Sequence, residues 1–250
     1  MNTVFPFGFP FPTVLYLSLY ILTLAIHVVF MNYVLAGSGY LAFASLLGGR
    51  QWSSDSVARV MRDWMPFALG ATITAGIAPI LFVQVLYQRA FYTANLLLFH
   101  RWMSILPVLI VAFYLLYLLK ARRVETWPRI VQQAVAFIAF LCIAFTGYSW
   151  AENHSLALDH ERWASFYESQ PVAYFNAALP PRFGMWMFGA VATMSLLVLW
   201  QLRFYQLHVP PSGWPVVTLP LHIKRMGTLA LIGLSGAVAC AIWHLVAAGP

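Results

Sequence analysis

The sequence predicts an all-α, polytopic membrane bundle, and three observations carry that expectation. Hydrophobic residues make up 62% of the 250 and charged residues only 8%, giving a mean hydropathy of +0.76. The apolar residues gather in long runs, each matching the about 20 residues an α-helix needs to cross hydrocarbon. The runs are also too long and too uniformly apolar for barrel strands, and within lipid a helix satisfies its own backbone. Residues 1–250 read as one membrane domain with no linker, low-complexity tract or strong internal repeat.

Six spans follow in order, at roughly 13–47, 66–93, 95–119, 130–150, 183–206 and 226–247, each drawn from the extent of its apolar run. The first is long enough for a tilted span plus about two further turns. The second contains FALGATITAGIAPILF, where Gly70, Thr72, Thr74, Ala75, Gly76 and Ala78 permit close approach by another helix or a flat cofactor, and where Pro79 is expected to bend the helix. Plain packing is the simpler use of those residues. The third span carries His100 and Pro107. The fourth ends where AEN brings in polar side chains. Residues 151–182 form an interfacial connection in which charge mixes with Trp163, Phe166, Tyr167 and Tyr174, as in a short amphipathic helix lying on the membrane. Pro180 and Pro181 stop it before the fifth span, and the sixth carries Gly233, Gly236 and Ala239 for packing.

Ten of the fourteen basic residues fall after the first, third and fifth spans: Arg50, Arg59, Arg62, Lys120, Arg122, Arg123, Arg129, Arg203, Lys224 and Arg225. Those connections are expected to be cytoplasmic, with both termini outside. The net charge of +7 then reflects topology, and nucleic acid is discarded as a partner because no basic folded domain exists to bind it. The N-terminus MNTVFPFGFPFP lacks the basic start of a cleavable signal and is expected to remain. No nucleotide fingerprint, Walker loop, HExxH or nucleophile elbow is present. No C-x-x-C-H attaches a haem covalently, so any haem is held without a covalent link.

Histidine is the polar residue of interest inside the spans, which as drawn contain no carboxylate. A metal-ligating side chain in hydrocarbon is costly and generally has a function or a buried partner. By helical rise His27 lies roughly 16 Å below the outer surface, His100 roughly 9 Å and His244 roughly 5 Å, so three helices aim an imidazole at one leaflet. Neutral imidazole ligates haem iron, and Arg101 or Arg89 suits the haem propionates. Met31 and Met185 are candidate thioether ligands, although methionine in an apolar span generally packs. For each histidine the simpler role is a hydrogen bond to a neighbouring helix. His154, His160, His208 and His222 fall in connections.

HVVFMNYVLAGSGYLA around His27, FALGATITAG, LLLFHRWM around His100, IAFTGYSWAEN and FNAALPPRFGMWMFGAVATM follow one another in an order that resembles the N-terminal half of the large, haem-bearing subunit of cytochrome bd quinol oxidases. The resemblance rests on collinear short motifs. It implies ligation of a high-spin haem by His27. The position matching His100 is Glu in that family, and its low-spin haem takes a His where this chain has Gly184 and Met185. In that family a hydrophilic quinol loop follows the sixth span, and no such segment occurs within residues 1–250.

The expected function is a haem-b membrane subunit of a respiratory electron-transfer complex, in a bacterial-type inner membrane. It would pass electrons between membrane quinol and an extracytoplasmic redox partner such as a cytochrome c. His27 and His100 would hold iron, on one shared haem or on two, with Arg101, Arg89, Met185 and His244 as further cofactor contacts. A haem-free anchor for other redox subunits is the alternative. A channel or transporter, or a complete terminal oxidase, stands further off.

Overall fold

In the computed structural model, residues 11–47, 55–208 and 219–248 are described. The N-terminal MNTVFPFGFP, Arg50 and the ends of the connections lie outside them. No strand occurs among the described residues, and six helices are long and apolar enough to cross a membrane. The chain is an all-helical membrane bundle.

Helix α1 (Phe11–Leu47) is 37 residues long, roughly 55 Å at 1.5 Å per residue and so well beyond the hydrocarbon thickness. Helix α2 (Ser56–Leu86) starts ten residues before the expected boundary, because Asp55 caps it by accepting the Val57 N–H at 3.2 Å. The charged turn with Arg59, Arg62 and Asp63 is therefore helical, and both Pro66 and Pro79 lie within the continuous helix. The second span does not run on to residue 93. It ends at Tyr87, and a separate ten-residue helix α3 (Gln88–Leu97) intervenes before α4 (Phe99–Lys120).

Helix α5 (Arg129–Leu158) extends eight residues past the expected end. The polar AEN that suggested a boundary is buried rather than solvated: Ala151, Glu152 and Asn153 all lie inside. The expected amphipathic helix is present as α6 (Trp163–Ser169), with Phe166 buried and Tyr167 exposed. It closes at Gln170, whose φ of 42° is left-handed. Helices α7 (Leu179–His208) and α8 (Leu219–Ala248) complete the chain.

Helix α1 packs against α2, α5 and α7, α4 against α5 and α2, and α8 against α7. The main core draws on Tyr33–Leu41 of α1, Val57–Leu69 of α2, Ala112–Leu119 of α4, Val135–Ile143 of α5 and Ala190–Leu202 of α7. All of these stretches lie toward the end of the bundle holding the 48–54, 121–128 and 209–218 connections. Toward the opposite end the helices are less enclosed, and Leu15, Leu19, Leu22, Ile26 and Val29 of α1 are exposed. A second, small core of Ala94, Leu98, Leu156, Phe166 and Tyr174 closes that opposite end.

Candidate functional site

His27 sits where the tight half of the bundle gives way to the looser half, six residues before the buried run that begins at Tyr33. Its Nδ1 lies 3.0 Å from the Thr72 carbonyl oxygen of α2. A carbonyl only accepts, so Nδ1 carries the hydrogen, and in the neutral ring Nε2 carries the lone pair. Among the described residues Nε2 has no hydrogen-bond partner. The ring also needs Gly76: a Cβ there would lie 3.0 Å from His27 Cε1 and 3.1 Å from Nδ1. Thr72 spends its own hydroxyl on Ala68 O at 2.8 Å and leaves its carbonyl for the imidazole. A histidine fixed by a backbone carbonyl at one nitrogen, with the other nitrogen open, has the tautomer and orientation of a metal ligand.

The other expected contacts are dispersed. His100 is exposed at the second residue of α4, its ring edge-on to Phe99 at 5.6 Å. Helix α4 makes no interface with α1 comparable to those with α5 and α2, so His27 and His100 do not meet in a common seam. His244 Nδ1 donates to the Ala178 carbonyl oxygen at 3.1 Å, tying the end of α8 to the start of α7. Met185 is half-buried on α7, beside Gly184, which packs on Cys240 of α8. Arg89 is exposed on α3. Among the described residues no group of three or more His, Cys, Asp or Glu side chains is arranged to hold a metal ion.

Arg101 has a different partner from the one expected. Its Nε lies 2.9 Å from Glu152 Oε2, and Glu152 is fully buried. Phe145 and Tyr148 flank the guanidinium at 5.5 and 5.9 Å from their ring centroids. Glu152 Oε1 accepts the Tyr174 N–H at 2.8 Å, so one carboxylate joins α4, α5 and the 170–178 segment. Alongside, Asn153 donates to Asn95 at 2.8 Å and Trp102 meets Trp150 at 4.8 Å. This carboxylate within a candidate span was missed because the span was ended at residue 150. The signal was present in the uninterrupted helical composition of GYSWAENHSLAL, which contains no proline to end the helix before Asp159.

Tyr174 completes the cluster at this end. Its hydroxyl donates to Asp159 Oδ2 at 2.6 Å and accepts from Asn176 Nδ2 at 2.9 Å. Burial, and then the bond to Asp159, push the phenol up to about 12, so it remains a donor at any physiological pH. Arg162 reaches the same Asp159 oxygen at 3.4 Å. Of the four acids in 151–182, Glu152 and Asp159 are thus engaged internally, and Glu161 and Glu168 are exposed.

The chain matches no protein-family model, no curated protein and no solved structure. The helical membrane class stands on the fold itself.

Proposed function

We propose that this chain is a haem-b-binding membrane subunit of an electron-transfer assembly, with His27 as an axial ligand. The observation that carries the reading is the His27 Nδ1 contact to the Thr72 carbonyl, which leaves Nε2 as an unpartnered lone pair in a half-buried niche. Haem b bound there would carry the electron. The protein's part is to set the imidazole: Thr72 fixes its rotation, Gly76 makes room for it, and the packed residues from Tyr33 onward hold α1 still beneath it.

His100 is exposed at the start of α4, a helix without a sizeable interface to α1, so two haems suit the two histidines better than one shared haem. Arg101 is held by Glu152, which leaves exposed Arg89 as the cation free to meet an anionic propionate. The distribution of Lys and Arg supports a cytoplasmic position for the 48–54, 121–128 and 209–218 connections, with residues 151–182 outside in a bacterial-type inner membrane. Membrane quinol and an external carrier such as a cytochrome c are the electron partners that suit this placement. Glu161 and Glu168 are the two exposed acids that would greet a basic one.

The test is a pyridine haemochrome assay on the purified full-length chain, followed by His27→Ala. Haem b is expected in the wild type, and the reduced-minus-oxidised band of the native protein is lost or shifted in the variant, while stability changes by only the about 0.5–1.5 kcal/mol of one hydrogen bond. A colourless preparation with a normal melting transition would leave the haem-free anchor as the function.

A further inference from the structure

A second site, independent of the haem reading, lies where α5 ends and α7 begins. A cavity of about 230 Å³ is lined by Ser155, Leu158, Asp159, Asn176, Ala178 and Arg182. One water needs only about 10–15 Å³, so the space suits a larger polar group. Three features of the lining specify its chemistry. Arg182 has no carboxylate partner among the described residues, its polar contact being the Ser155 hydroxyl at 3.4 Å. Asn176 Oδ1 is buried without a hydrogen-bond partner, its Nδ2 being spent on Tyr174. Asp159 engages Tyr174 and Arg162 through Oδ2 and is itself one of the lining residues.

A guanidinium without a carboxylate partner and an amide oxygen in need of an N–H donor, with a carboxylate beside them, therefore share one cavity. The ligand that satisfies both carries a negative group and a primary ammonium. Position supplies the rest. The cavity opens where two membrane helices terminate, and its rim residue Leu158 is 61% exposed. Ala178 in its wall is bonded to His244 of α8, beside which Leu245 and Val246 present exposed apolar surface. Trp163 and the exposed Tyr167 lie nearby in sequence, as aromatic side chains do at head-group depth.

We infer that this cavity binds an ammonium-bearing phosphoester, the head group of an aminophospholipid, with the phosphate on Arg182 and the ammonium toward Asn176 Oδ1 and Asp159. Choline lipids lack the N–H donors and glycerol lipids lack the cation, so both bind less well.

Native mass spectrometry of the full chain tests this, after exchange into detergent containing equimolar phosphatidylethanolamine, phosphatidylcholine and phosphatidylglycerol of identical acyl chains. One phosphatidylethanolamine is expected to be retained, with a preference over the other two of roughly ten-fold, the effect of one charge-assisted bond. Arg182→Ala and, separately, Asn176→Leu are expected to erase the preference, and Arg182→Lys to keep most of it. Each variant is compared at equal melting temperature and monodispersity, which separates head-group loss from unfolding. Soluble glycerophosphoethanolamine forms the second arm: saturable thermal protection by it without retained lipid would assign the same chemistry to a free phosphoester. Equal retention of the three lipids by the wild type, or an undiminished preference in Arg182→Ala, would overturn the proposal.

Discussion

At the α7–α8 seam, a Cβ on Gly233 would lie 2.7 Å from both the Ala192 nitrogen and the Phe188 carbonyl oxygen of α7, and one on Gly236 would strike the Phe188 ring. At the α1–α2 seam the glycines meet side chains instead. Gly37 of α1 receives Met65 and Met61 of α2, and Gly76 of α2 receives the His27 ring of α1. Small residues thus serve backbone approach in one seam and reciprocal side-chain niches in the other. The distinction matters because a backbone cannot move aside and a side chain can. The first seam is a joint, whereas the second makes room for a polar ring.

The largest effect is expected at the joint. Gly233→Ala places a methyl against main-chain atoms with no route of escape, and α7 is the helix that holds α8 to the bundle. Overpacking of this kind costs about 1–3 kcal/mol, and small residues that let backbones approach closely favour helix association in lipid. Denaturant or thermal unfolding of the detergent-solubilised protein should show that loss. An unchanged transition would mean that the two helices are held by something other than this contact.

A smaller stability effect with a larger functional one is expected at the niche. In Gly76→Ala the new methyl lies 3.0 Å from His27 Cε1, so the ring must give by a few tenths of an ångström and its bond to Thr72 lengthens. The cost is about 0.5–1 kcal/mol, no more than one hydrogen bond. If haem is bound as proposed, its absorption maximum or midpoint potential is nevertheless expected to move, because ring orientation tunes the metal. Combined with His27→Ala, the substitution should no longer destabilise and should instead gain up to the roughly 0.8–1 kcal/mol of alanine over glycine in a helix, since its cost acts through the one contact with His27. Full additivity would show that Gly76 is not there for His27.

Residues that declare themselves one at a time were legible in the sequence, and pairings were not. Six spans follow from length and hydropathy, since crossing hydrocarbon demands both. His27 and Gly76 each stood out, as did Arg101, but the contacts His27–Thr72 and Arg101–Glu152 join positions separated by 45 and 51 residues, beyond any local periodicity. The boundary errors share that cause. Glu152 and Asn153 look like the end of a span when read alone, yet they remain helical and buried because α3, α4 and Tyr174 supply partners. At α2 the opposite holds: the Asp55 cap was a local signal, masked by the charge of the turn that follows it.

The smallest effect sharpens the comparison most cheaply. Gly70 belongs to the same small-residue stretch as Gly76, but a Cβ built on it meets nothing within 4 Å. If small residues in this helix exist for general closeness of packing, Gly70→Ala should destabilise much as Gly76→Ala does. If they exist for the one imidazole, it should leave any haem signal of the wild type unchanged and cost nothing, or gain up to the roughly 0.8–1 kcal/mol by which alanine exceeds glycine in a helix interior. Six residues separate the two positions, so the pair isolates the niche from the helix that carries it. A destabilised Gly70→Ala protein would show that a further chain packs on this face of α2, and the reading of the α1–α2 seam would have to include it.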